Sequence, residues 1–158
     1  MTVSYSKDRR SLLKLYRHLY KKFGYRDDAP NTCIYCGFPG ETEDHIPPVS
    51  WAYCFGADHF TERGIQFLKV PACLECNVFL GDKELFTIRH RTEELLAHYK
   101  KKYRRFLRHK RWSVEELDDL GYTLGSKVES VSTVQIAVKR RIQILEEEVL
   151  RCDEASTR

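Results

Sequence analysis

Four of the six cysteines form two CxxC pairs, Cys33-Ile-Tyr-Cys36 and Cys73-Leu-Glu-Cys76. Each pair sets two thiolates on one tight turn, and two such turns complete a tetrahedral sulfur shell of the kind that holds zinc. The second pair argues against reading the first as a redox dithiol. Cys54 and Cys152 are left over and read as ordinary thiols. Between the pairs runs Thr42-Glu43-Asp44-His45-Ile46-Pro47-Pro48, and Asn77 directly follows the second pair. Hydrolysis of a phosphodiester needs a group that takes a proton from water, and an imidazole titrates near neutral pH. It also needs charge stabilisation, which a hard divalent cation held by oxygen ligands supplies. Glu43 is the adjacent carboxylate and ranks behind Asp44. Asp58-His59 repeats the dipeptide, but it lies between Gly56 and Gly64 without the flanking prolines.

This order of motifs (paired CxxC, Asp-His, CxxCN) resembles the HNH endonucleases of the ββα-metal group in their zinc-knuckle form, over residues 30–90. The resemblance implies metal-dependent hydrolysis of DNA, with His45 as the general base and Asp44 and Asn77 holding catalytic magnesium or manganese. Cys33, Cys36, Cys73 and Cys76 would hold a structural zinc. Two positions depart from the pattern. Leu68, with Gln66 the nearest amide, stands where the family usually carries an asparagine that steadies the base. Leu80 stands where a lysine is frequent. The combination with helical arms is also similar to phage Holliday-junction resolvases, so junction cutting stands beside nicking, restriction and homing-type cleavage. The reading from another class is a non-catalytic zinc module that binds nucleic acid or a protein partner.

The net charge of +4 conceals a partition. Residues 1–29 and 82–112 are strongly basic, whereas 30–81 and 113–158 are acidic. Carboxylates where a cation sits, and cations where a polyanion lies, suit an enzyme acting on nucleic acid. Lys100, Lys101, Lys102, Arg104, Arg105, Arg108, Lys110 and Arg111 follow one another with no acidic residue between them. They are expected to grip the DNA backbone. No apolar run reaches transmembrane length, and the opening from Met1 to Arg10 lacks a signal-peptide core. The expectation is an intracellular protein with no membrane partner.

All five prolines fall between Pro30 and Pro71, which confines loops and short strands to the centre and leaves the arms free to be helical. The expected fold is mainly α, with a small zinc-stapled ββα-metal module between helical arms. Residues 1–29 would form a basic helix, 30–90 the module, and 91–158 a C-terminal helical region. In detail, a helix over 6–23 ends at Gly24, and 50–64 forms a loop carrying Trp51, Tyr53, Phe55 and Phe60. A strand over 65–72 ends at Pro71, and a helix starts near Cys73. Gly81-Asp82 marks a break and a fresh N-cap, and Ser113-Val-Glu-Glu116 reads as a capping box. The last helix begins near Ser132, with a stripe of Val131, Val138, Ile142, Leu145 and Val149 interrupted by Gln135. That stripe is read first as intramolecular core, with a homodimer seam as the alternative. The tail from Asp153 is expected to fray.

Overall fold

The proline-bearing centre of the chain holds two of the three described strands and two short helices, and the two longest helices lie C-terminal to it. A computed structural model describes residues 9–25 and 31–156, with the side chains of 9–10 and 153–156 left aside. In chain order the elements are α1 (Arg9–Tyr16), β1 (Lys21–Lys22), β2 (Thr42–Ile46), α2 (Val49–Phe55), α3 (Ala57–Thr61) and β3 (Leu68–Ala72). These are followed by α4 (Leu74–Leu80), α5 (Ile88–Lys102), α6 (Arg104–Arg108), α7 (Val114–Asp118) and α8 (Tyr122–Ser156). The sheet order is β1-β3-β2. β2 and β3 are antiparallel, pairing Asp44 with Val70 and His45 with Lys69, while β1 adds parallel to β3, pairing Lys22 with Lys69. With α4 behind it, the β2–β3 pair makes a small ββα-like unit. Among the described residues no helix is long and apolar enough to cross a membrane.

Several boundaries differ from expectation. The first helix stops at Tyr16 rather than 23, and the chain passes through one 3-10 turn into β1. The amides of Lys21 and Phe23 donate to the carbonyls of Phe67 and Lys69, so pairing to β3 outweighs the helical spacing there. Residues 6–8 of the expected helix lie outside the described residues. The aromatic segment is two short helices instead of a loop. Trp51 and Phe60 turn inward, whereas Tyr53 and Phe55 stay half exposed. Gly81 ends α4 as expected, but Asp82 caps nothing. The N-cap of α5 is Thr87, whose hydroxyl accepts from the amide of His90. The capping box at Ser113 is formed as read. α8 begins ten residues earlier than Ser132, at Tyr122, and carries the tail in helix to Ser156.

Two apolar cores hold the chain together. One joins Leu12 of α1 and Tyr20 to Val49, Ala52, Phe60 and Phe67. The other contains all four CxxC cysteines together with Ile46, Val70, Leu80, Leu95, Tyr99, Val138, Ile142 and Leu145. The heptad-like stripe of α8 is therefore covered by the protein's own α5 and cysteine knuckles. Gln135 is buried in the same row, and its amide donates to the carbonyls of Phe106 and His109 at 2.9 Å, closing the end of α6. This core spans the boundary expected at residue 90, which falls inside α5. Substituting Leu145, fully buried on α8, by alanine is expected to cost about 2–5 kcal/mol in a denaturant titration.

Candidate metal centre and the flanking sheet face

The Sγ atoms of Cys33, Cys36, Cys73 and Cys76 all lie within 4.8 Å of one another, and all four residues are buried. A zinc ion about 2.3 Å from each of four sulfurs at tetrahedral angles requires sulfurs about 3.8 Å apart. The Cys36 and Cys73 sulfurs are 3.7 Å apart. The four residues therefore fit a structural metal such as zinc. Local sequence explains the knuckles. Gly37 takes φ +71° after the first pair, a conformation in which its amide reaches the Cys33 carbonyl at 3.0 Å. Cys73 is the N-cap of α4, and its sulfur accepts from the amide of Cys76 at 3.4 Å.

A second layer comes from the helical arm. The Tyr99 hydroxyl on α5 lies 3.4 Å from the Cys76 sulfur, to which it can donate once that sulfur is a thiolate. The Arg141 guanidinium on α8 reaches Cys73 Sγ at 3.7 Å, lies over the Phe38 ring and pairs with Glu75. A zinc held by four thiolates would carry net negative charge, which Arg141 stands close enough to offset. Burial alone would push the Glu75 carboxyl up, but Lys102, Arg141 and Tyr103 outweigh it and bring it down to about 2. Removing the Tyr99 hydroxyl with Tyr99→Phe is expected to weaken zinc binding by roughly 10–100-fold in a competitive chelator titration, with the fold retained.

The Asp-His pair sits within a regular strand, so its two side chains take opposite faces. Asp44 turns inward and is nearly fully buried, whereas His45 is half buried on the other face. The Asp44 carboxylate accepts from the Tyr35 hydroxyl at 2.6 Å, and one nitrogen of Arg91 reaches its two oxygens at 3.3 and 3.2 Å. Arg91 is fully buried on α5, and its remaining donors meet the carbonyls of Leu85 and Gly81. It thereby ties β2 to the end of α4 and to the loop before α5. Burial, followed by the charge of Asp44, raises the Tyr35 hydroxyl well above its usual range, so it stays a donor.

Asn77 stands one turn into α4, on the same side of the hairpin as Asp44. Its amide nitrogen donates to Thr42 Oγ1 at 2.9 Å and to the Glu43 carbonyl at 3.3 Å. Asp44 and Asn77 thus share a side, but each has its own protein partners, and a guanidinium already faces the carboxylate. In this arrangement the pair does not fit a divalent cation.

His45 packs edge-on against Tyr20, with ring centroids 4.9 Å apart. Lys69 stands directly across from it on β3, and the ammonium of Lys69 meets Glu43 at 2.9 Å. The Tyr25 hydroxyl donates to the same Glu43 oxygen at 2.9 Å. His59 lies elsewhere, on α3, stacked on Phe55.

The basic run spans the end of α5, α6 and the segment after it. Lys100 pairs with Glu146, Lys102 with Glu75 and Lys110 with Glu116. Lys101, Arg104, Arg105, Arg108 and Arg111 are exposed, with no acidic partner among the described residues. Sequence reasoning missed Tyr35, Lys69, Arg91, Tyr99 and Arg141. Among these, Tyr35 carries a sequence signal in its position inside the first CxxC, and Tyr99 in its helical spacing from Leu95 and Tyr103.

No family model matches the chain, and no curated protein or solved structure matches it.

Proposed function

We propose that this chain is a zinc-stapled endonuclease module of the HNH type, hydrolysing DNA phosphodiester bonds with His45 as the general base. The observation that carries this reading is the placing of His45 at the end of a strand pinned by the cysteine knuckles, half open and opposite Lys69. An imidazole beside an ammonium suits deprotonation of water next to a phosphate anion. The unpaired cations of α6 extend basic charge along the chain for a nucleic-acid backbone. The resemblance also implies magnesium or manganese, but Asp44 and Asn77 as they stand do not fit one, because the ion pair with Arg91 already occupies Asp44, so no step of this reading runs through a cation.

That same ion pair favours the second reading, a non-catalytic zinc module that binds nucleic acid, in which Asp44 is purely structural. Nicking of supercoiled plasmid, with magnesium, with manganese and with chelator, separates the two. Under the first reading the wild type nicks and His45→Ala, zinc and fold intact, loses at least about 100-fold, the usual contribution of a general base. Equal activity in both proteins would remove His45 from the chemistry. Absence of cleavage on plasmid and branched DNA, with binding retained, would leave the second reading.

A further inference from the structure

The sheet face that carries His45 also carries a row of cations that no motif announces. His45 pairs with Lys69 across β2–β3, and Lys69 pairs with Lys22 across β3–β1. Residues paired across strands point to one face, with Cβ atoms about 4.5–5.5 Å apart. The three side chains therefore form a line perpendicular to the strands, imidazole first and two ammonium groups after it. Lys22 is exposed and lies over the Tyr25 ring, while the Lys69 side chain keeps only 15% of its surface in solvent. Phe67 and Tyr20 close one end of this face with a T-shaped contact, leaving the row at the border between the apolar core and water.

One anionic group already sits in the row. Glu43, two residues before His45 and on the same face, places a single carboxylate oxygen 2.9 Å from both Lys69 Nζ and Tyr25 Oη. Burial alone would raise the Glu43 carboxyl, but Lys69 and Tyr25 together outweigh it and hold it below its usual range. The same carboxylate pushes the Tyr25 hydroxyl, already raised by burial, to about 12, so that hydroxyl remains a donor. An ammonium and a phenolic donor converge on that one oxygen, and a second ammonium, Lys22, lies over the ring of the same tyrosine, so the face offers a site for a tetrahedral oxyanion, held meanwhile by the protein's own carboxylate. Glu43 is half exposed and can swing away without opening the core.

We propose that Lys69, with Lys22 and Tyr25, is a phosphate-binding subsite for a nucleic-acid backbone, and that Glu43 occupies it until the backbone displaces it. The proposal rests on the nucleic-acid reading above and deepens it. It gives the β-sheet face, and not only the basic helix, a share in binding, and it sets the bound phosphate beside His45.

The test is fluorescence anisotropy of a labelled DNA duplex over a series of salt concentrations. The proteins compared are wild type, Lys69→Ala, Lys69→Arg, Glu43→Gln and the charge-matched control Lys139→Ala on α8. Lys69→Ala is expected to weaken binding by roughly ten-fold or more, the worth of one charge-assisted hydrogen bond. It should also reduce the slope of log K against log salt by about one. Lys69→Arg restores both, and Glu43→Gln, which removes the competing anion, tightens binding. If the wild type binds and Lys69→Ala behaves as Lys139→Ala does, the subsite is wrong while the nucleic-acid reading stands. If the wild type does not bind, that reading fails and the subsite fails with it. Weaker binding by Glu43→Gln would overturn the displacement step.

Discussion

Cys76→Ser is expected to cost the protein its fixed tertiary structure rather than a fraction of its stability. Binding of a structural zinc to such a site is worth about 10–16 kcal/mol at neutral pH, and that energy is folding energy. A domain of this size is stable by only about 5–15 kcal/mol in total. All four cysteines belong to the same core as Leu95, Tyr99, Val138 and Leu145, so the loss spreads from the knuckles into α5 and α8. The near-ultraviolet circular dichroism should collapse, with bound zinc falling to background, while part of the far-ultraviolet helical signal survives in the long helices. A native near-ultraviolet spectrum in Cys76→Ser would show that the hydrophobic core suffices without the metal.

The second large effect belongs to Arg91. Removing one partner of a buried ion pair leaves the other charge unmatched and costs about 3–5 kcal/mol. Arg91→Met takes the guanidinium from Asp44, whose contact with the Tyr35 hydroxyl stays, and it also abandons the carbonyls of Gly81 and Leu85. Asp44→Asn keeps the size of the side chain and the Tyr35 contact, so its penalty should be the smaller. Because the two residues touch, the double variant should lose less than the sum of the singles. Urea titrations of the three variants measure this directly. A loss below about 1 kcal/mol for Arg91→Met would be the behaviour of a solvated pair and would place Asp44 in water, open to a cation.

The same pair shows where the sequence is legible. The cysteine knuckles, the capping box and the stripe of α8 are local or periodic signals, and each stands in the fold as its spacing implies. Gly81 likewise ends a helix. β1 was not legible, because Lys21 and Lys22 sit on a helical repeat and become a strand only through hydrogen bonds to a partner far along the chain. The aromatic segment read as a loop because Pro48 precedes it and Gly56 and Gly64 punctuate it, yet Val49–Phe55 and Ala57–Thr61 fit short helices between those breaks. The start of α8 was missed because Gly125 and a run of polar residues mask nearly three turns of helix at its N-terminal end.

At the candidate site, the residue types were legible and their directions were not. Asp44 and His45 are adjacent in sequence, and the resemblance gives both a part in one site, which a regular strand does not allow. The strand stays regular through the pair, as far as Ile46, and separates them. Arg91 carries no motif. It meets Asp44 across 47 residues of chain, and only the packing of α5 on the hairpin reveals it. Lys69 is likewise one basic residue in a strand until register sets it opposite His45.

The central claim is that one metal ion, held by Cys33, Cys36, Cys73 and Cys76, organises this fold. Mass spectrometry of the purified full chain, under native and then denaturing conditions, tests it most directly. The account predicts one zinc per chain in the native spectrum, lost on denaturation, with these four thiols shielded from alkylation until the metal leaves. A folded, metal-free chain whose four knuckle thiols alkylate readily would contradict it.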